Sequence, residues 1–362
     1  MSSSKTQTTV AAKPMILETK YQLDYADIPI LDFGEFDRPG GVERLVAQTK
    51  EAVEGTGFFY VDNFGLSVDE INEQWELGKK ILALPDEEKL KYRAALEDGD
   101  YNGYRPLGAI EQFPGLRDNW ECYHIFKFIP EHERAHPAVV REHLAQIERF
   151  HRHVHEQVAY RVLRLLALTL EMAEDFFVDR HRYEARCSSF LRYMKYHPRS
   201  AETNARYKQI YTRGHTDFGS ATLLFSQPVG GLELEARDGA GWKALRHREG
   251  SIIVNTADMM HFWTKGYLHS CMHRVVAPPP DQEHMERFGL IYFLRPSDSA
   301  RLEVVDSPLL HRLGLVDQPE SEELRAKRQV TVGEWVPVQT KRNWTPYDQQ
   351  PQSQREFQSI FR

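Results

Sequence analysis

His215-Thr216-Asp217-Phe218-Gly219 and, roughly 55 residues later, Cys271-Met272-His273-Arg274-Val275 are the stretches whose reading decides the fold. Two imidazoles and one carboxylate are the donor set that suits non-haem Fe(II) and leaves coordination positions open. The spacing fits a strand. Residues two apart share a face, so His215 and Asp217 can reach one point, and the third donor must come from another strand.

The residues between them read as strands and turns. Ala221-Thr222-Leu223-Leu224-Phe225 is β-branched and apolar, and Gly231-Leu232-Glu233-Leu234-Glu235 alternates. Asp238-Gly239 signals a turn, and Ser251-Ile252-Ile253-Val254-Asn255 is a short apolar run. A lone His-x-Asp is common, and a lone histidine more often packs than binds metal. The ordered set is more specific: HTDFG, the GG-L-E-L hairpin, Asn255 to Asp258, Trp263 to Tyr267, His273-Arg274-Val275, then Arg287.

That set resembles the 2-oxoglutarate- and Fe(II)-dependent dioxygenases of the isopenicillin N synthase type, from about Ile28 to about Arg295. The resemblance implies a mainly β fold with flanking helices, a double-stranded β-helix (jelly-roll, cupin-like) core. It implies an N-terminal α/β region over 21–180, the jelly-roll core over 181–300 and a C-terminal helix and tail over 301–362, after a disordered leader at 1–20. His215, Asp217 and His273 are then the metal ligands, with Fe(II), 2-oxoglutarate and O2 as cofactor and co-substrates. Leu191-Arg192-Tyr193-Met194-Lys195-Tyr196-His197-Pro198 looks like the family's L-R-x-N-Y-Y-P-P, which aligns Tyr196 with the tyrosine on a 2-oxoglutarate carboxylate.

Arg287 stands where the family places the arginine of its R-x-S motif, and arginine matches a carboxylate bidentately. Here the motif is Arg287-Phe288-Gly289, so the serine hydroxyl is missing. Arg274 and Arg295 are rivals, although Arg274 directly follows a ligand and should face away. Arg192, Met194, Tyr104 and Arg117 are the candidates for touching substrate.

The implied reaction is decarboxylation of 2-oxoglutarate to succinate and CO2, coupled to hydroxylation, desaturation or ring closure of a small organic molecule, a secondary metabolite. An iron oxidase of the same fold that does not use 2-oxoglutarate, a nucleobase hydroxylase and a non-catalytic binding protein are the alternatives.

Composition sets outer bounds. The net charge of −7 has no basic block, which argues against nucleic acid, and no apolar run is long enough to span a bilayer. Cys122, Cys187 and Cys271 are scattered, which suits a reducing, cytoplasmic setting. Ser67-Val68-Asp69-Glu70 matches a capping box and starts a helix. Val140, Leu144, Ile147, Val154, Val158, Val162 and Leu165 give the strongest helix, expected to carry His151, His153 and His155 on a solvated face. Glu334-Trp335-Val336 reads as a terminal helix, followed by a polar tail from Gln349.

Overall fold

Two sheets enclose the interior of the molecule in a computed structural model that describes residues 18–113, 115–237, 239–317, 322 and 329–344. The strands are β1 (Ile30–Asp32), β2 (Phe58–Asp62), β3 (Gly103–Arg105), β4 (Glu111–Phe113), β5 (Leu116–Arg117), β6 (Trp120–Phe126), β7 (Phe190–Tyr196), β8 (Ile210–His215), β9 (Ala221–Phe225), β10 (Leu232–Glu235), β11 (Trp242–Ala244), β12 (Ile252–Thr256), β13 (His273–Val276) and β14 (Arg287–Leu294). The large sheet runs β1-β2-β12-β9-β14-β7-β6-β3, and the small one β11-β10-β13-β8. Among the described residues all pairings in both are antiparallel except β1 with β2. The result is the expected mainly β fold with flanking helices and a jelly-roll core.

Alternation along the strands decides what each face carries. On the large sheet Leu223, Val254, Leu290 and Tyr292 point outward into the main apolar core, which they share with residues of the helices Gly41–Glu54, Val68–Leu82 and Tyr160–Thr169. The opposite face turns toward the small sheet. There Cys122, Met194 and Tyr196 meet Tyr211 and Val275, and Phe58, Tyr60 and Ile253 meet Leu234. The helix Val68–Leu82 begins at the expected box: Ser67 Oγ accepts from the Glu70 backbone N–H, and the Glu70 carboxylate accepts from the Ser67 N–H.

The long central helix corrects one expectation. His151 and His155 are fully buried rather than solvated, and His153 is half-buried with Nε2 donating to the Phe64 carbonyl. A π-helical segment, Val154–Ala159, interrupts the helix between Leu144–His153 and Tyr160–Thr169, which shifts the face that meets the sheet. His155 donates from Nε2 to the His181 carbonyl and accepts at Nδ1 from the Tyr292 hydroxyl, both at 2.6 Å. Tyr292 of β14 and the residues His181 and Tyr183 before β7 supply the polar partners of these imidazoles, with the Tyr183 hydroxyl 3.1 Å from His151 Nδ1.

The C-terminal helix Val332–Trp344 packs Trp335 edge-on against Phe218 and Phe262. Of the expected leader, residues 1–17 lie outside the described residues. Thr19 and Lys20 both hydrogen-bond the Asp281 carboxylate. Asp238 of the turn signal and the tail from Gln349 also lie outside the described residues.

Candidate metal centre

Asp217 leaves the end of β8 at a close approach of two backbones. A Cβ on Gly219 would sit 2.4 Å from the Leu294 carbonyl oxygen, so only glycine fits where the Ser220 N–H bonds that same oxygen at 2.8 Å. This seats the loop on the large sheet. β13 pairs with β8 so that His273 lies directly opposite His215. The two rings are 4.3 Å apart at 52°.

One donor atom from each of His215, Asp217 and His273 lies within 4.8 Å of the others. His215 Nε2 is 3.9 Å from Asp217 Oδ1, and His273 Nε2 is 3.8 Å from Oδ2. These gaps are too long for hydrogen bonds and leave space between the donors. Backbone carbonyls fix both tautomers. His215 Nδ1 donates to the Arg213 carbonyl at 2.9 Å and His273 Nδ1 to the Cys271 carbonyl at 3.0 Å, so each Nε2 lone pair faces the carboxylate.

Two residues that the sequence did not single out orient the carboxylate. Thr222 Oγ1 and Asn255 Nδ2 both donate to Asp217 Oδ2, at 2.7 and 3.2 Å. Alternation puts each on the inward face of its strand, but their meeting beneath Asp217 depends on the register of β9 with β12. Burial opposes ionisation of Asp217, but the His273 and His215 imidazoles and these hydrogen bonds outweigh it and hold the carboxyl below its ordinary value. His215 is pushed down to about 4, chiefly by burial and next by His273, so its ring is neutral and able to ligate at neutral pH. A carboxylate and two imidazoles whose Nε2 atoms face it fit a divalent transition metal. Cys271 is buried beside Phe58 and is not part of this group.

Around the centre the inward face of the large sheet carries Arg287, Tyr196, Met194 and Arg192. Arg287 is buried and donates from Nε to the Gly230 carbonyl at 3.1 Å, with its guanidinium 5.7 Å from the Tyr196 ring. No carboxylate pairs with it among the described residues, and burial lowers its pKa. Tyr196 shares a hydrogen bond with Thr212 at 3.0 Å. Gly289 has only ordinary contacts where a Cβ would stand, Ile291 and Met194 at 3.5 Å. Arg274 is engaged elsewhere, bonded to Glu233 at 2.6 Å and lying over Trp242.

Two substrate candidates are not brought here. Tyr104 pairs with Tyr123 in register, and both join the outer core; its hydroxyl donates to Glu121 at 2.7 Å. The alternation of β3 therefore turns Arg105, not Tyr104, inward. Arg117 is exposed on the β4–β5 hairpin and donates to the Gly108 carbonyl. Its position at a strand end, and not its chemistry, places it on the surface.

Three convergent donors on a jelly roll, with Asp217 and His273 buried and His215 partly exposed, suit a single metal ion, and comparison with known proteins narrows the class. The profile of the 2OG-Fe(II) oxygenase superfamily matches residues 185–296, and that of the N-terminal region of non-haem dioxygenases in morphine synthesis matches 28–146. The chain is 29% identical over 317 residues to a UPF0676 protein of Schizosaccharomyces pombe, covering 86% of this chain and 90% of that one. It is 27% identical over 297 residues to a protein of Didymella fabae named 2-oxoglutarate-dependent dioxygenase, covering 77% of this chain and 88% of that one. The fold is similar to that of a full-length Neurospora crassa protein solved in complex with alpha-KG and thymine, with TM-score 0.74, 22% identity, and coverage of 89% of this chain and 100% of that one. The chain belongs to the 2-oxoglutarate/Fe(II)-dependent dioxygenase family. Its cofactor and co-substrates are Fe(II), 2-oxoglutarate and O2. Among the described residues no helix is long and apolar enough to cross a membrane.

Proposed function

We propose that this dioxygenase oxidises a small organic molecule, a secondary metabolite, by hydroxylation, desaturation or ring closure, with release of succinate and CO2. The observation that carries the reading is the convergence of His215, Asp217 and His273 within 4.8 Å. These residues would hold Fe(II), which when bound supplies activation of O2. Three protein ligands leave positions for a 2-oxo acid and O2.

Arg287 is the group for the distal carboxylate of 2-oxoglutarate. It is a buried cation without a protein anion among the described residues, and Gly230 and Tyr196 fix its plane. Thr222 and Asn255 keep Asp217 ionised and oriented. Arg192 and Met194, on the same inward face, border the space left for substrate, and Phe190, Phe293 and Trp120 give that wall an aromatic lining. The unpaired Arg287 favours use of 2-oxoglutarate over the oxidase alternative, despite the missing serine at Gly289. Incubation with Fe(II), 2-oxoglutarate, O2 and metabolite extracts tests the reading: succinate should form in step with loss of one small molecule. Product without succinate would overturn it.

A further inference from the structure

Arg287 is not the sole cation aimed into the barrel. It begins the inward face of β14, and Arg295 continues the same parity just past the other end. Eight residues of strand separate their Cα atoms by about 26 Å. The metal centre is level with the far end: Asp217 is held by Thr222, and Thr222 pairs with Phe293. Arg295 therefore lies at the metal end of β14 and Arg287 at the opposite end.

Arg295 is 3% exposed, and its stem passes 3.5 Å from where a Cβ on Gly219 would lie, two residues beyond Asp217. Among the described residues its guanidinium makes one hydrogen bond, from Nη1 to Ser188 Oγ at 2.9 Å, and its buried Nε meets no acceptor. Arg192, on the adjoining strand opposite Ile291, donates from Nε to His124 Nε2 at 2.9 Å. His124 is locked as the acceptor because its Nδ1–H bonds the Tyr101 carbonyl at 2.6 Å. Neither arginine pairs with a carboxylate among the described residues. Both guanidiniums lie against one ring, 5.4 and 5.1 Å from the Phe190 centroid, so they are no farther apart than those two distances together. Phe293 lies 4.4 Å from Arg192 and Phe218 4.5 Å from Arg295.

We infer that Arg192 and Arg295 form a carboxylate-binding pair for the primary substrate, which is an organic acid with an apolar or aromatic body. The inference rests on the oxygenase reading above. Two guanidiniums packed on aromatic rings with so few acceptors are costly to bury, and an anion between them supplies the missing ones. Burial holds the Arg295 pKa down to about 10, still high enough for it to remain charged at neutral pH. The aromatic rings that support the pair also present apolar surface for the acid's body.

The test uses the whole chain loaded anaerobically with Fe(II) and saturating 2-oxoglutarate, so that the metal and Arg287 are occupied. Calorimetric titration compares 3-phenylpropanoate with its uncharged analogue 3-phenylpropanamide. The acid should bind at least about tenfold more tightly, the discrimination expected of one charge-assisted hydrogen bond. Arg192→Met and Arg295→Met should each erase that preference while 2-oxoglutarate affinity stays unchanged, and Arg295→Lys, which keeps the charge but not the fork, should retain part of it. Equal binding of acid and amide, binding of neither, or a preference that persists in both Met variants overturns the pair. Failure of the wild type to form the visible charge-transfer band of Fe(II) with 2-oxoglutarate would instead overturn the oxygenase reading.

Discussion

Replacing Arg287 isolates co-substrate binding from the metal. Its Nε is committed to the Gly230 carbonyl, which leaves the two terminal nitrogens as a fork for one carboxylate. A hydrogen bond to a charged group contributes about 1.5–3 kcal/mol, so losing two costs about 3–4 kcal/mol once water partly refills the space. That corresponds to a 2-oxoglutarate Kd raised about a hundred- to a thousand-fold in Arg287→Ala. Arg287→Lys should lie between, because charge is kept without bidentate geometry. Arg274→Ala removes a partly exposed ion pair with Glu233 and should change Kd by less than about threefold. The assay is anaerobic titration of the Fe(II)-loaded protein, followed by its visible charge-transfer absorption. A larger loss in Arg274→Ala than in Arg287→Ala would refute the assignment of the arginine.

Gly289→Ser should fold normally, since a Cβ meets its nearest neighbours at 3.5 Å, and should tighten 2-oxoglutarate binding by about 0.5–1.5 kcal/mol by titration; weaker binding would contradict the geometry. Thr222→Val keeps the shape but removes one hydrogen bond to Asp217, so Fe(II) affinity measured by chelator competition should fall about 10- to 100-fold. His155 has a folded-state pKa pushed down to about 3 by burial, against about 6.5 when unfolded. The unfolded chain therefore takes up a proton first. Stability is full above about pH 6.5 and falls as pH drops toward 3, by up to about 1.4 kcal/mol per pH unit. His155→Gln should show a shallower slope in denaturant titrations across that window, and parallel curves would count against this account.

The metal ligands are legible because their spacing encodes strand geometry: His215 and Asp217 are two apart, and His273 lies near the end of the strand region. Arg287 and Tyr196 are reached by resemblance, and the structure adds that Arg287 is buried without an anion among the described residues. Alternation also turns Arg192, Met194 and Tyr196 to one face, as β7 shows. What is not legible depends on register between distant strands. Tyr104 faces outward because it pairs with Tyr123, and no local signal in β3 gives that parity. The buried histidines escape a sequence reading because their polarity suggests a solvated face, although His151 falls between Ile147 and Val154 on the apolar stripe, and their partners come from distant residues. Thr222 and Asn255 become site residues only once β9 and β12 are seen side by side beneath Asp217.

The most direct test of the metal centre is anaerobic Fe(II) content of wild type and His273→Ala after loading and desalting, with thermal unfolding run in parallel on the metal-free proteins. The wild type should retain stoichiometric iron. His273→Ala should retain almost none while unfolding at a similar temperature, because the imidazole's hydrogen bond among the described residues is to the Cys271 carbonyl. Equal iron in both proteins would mean that the three side chains do not share a metal.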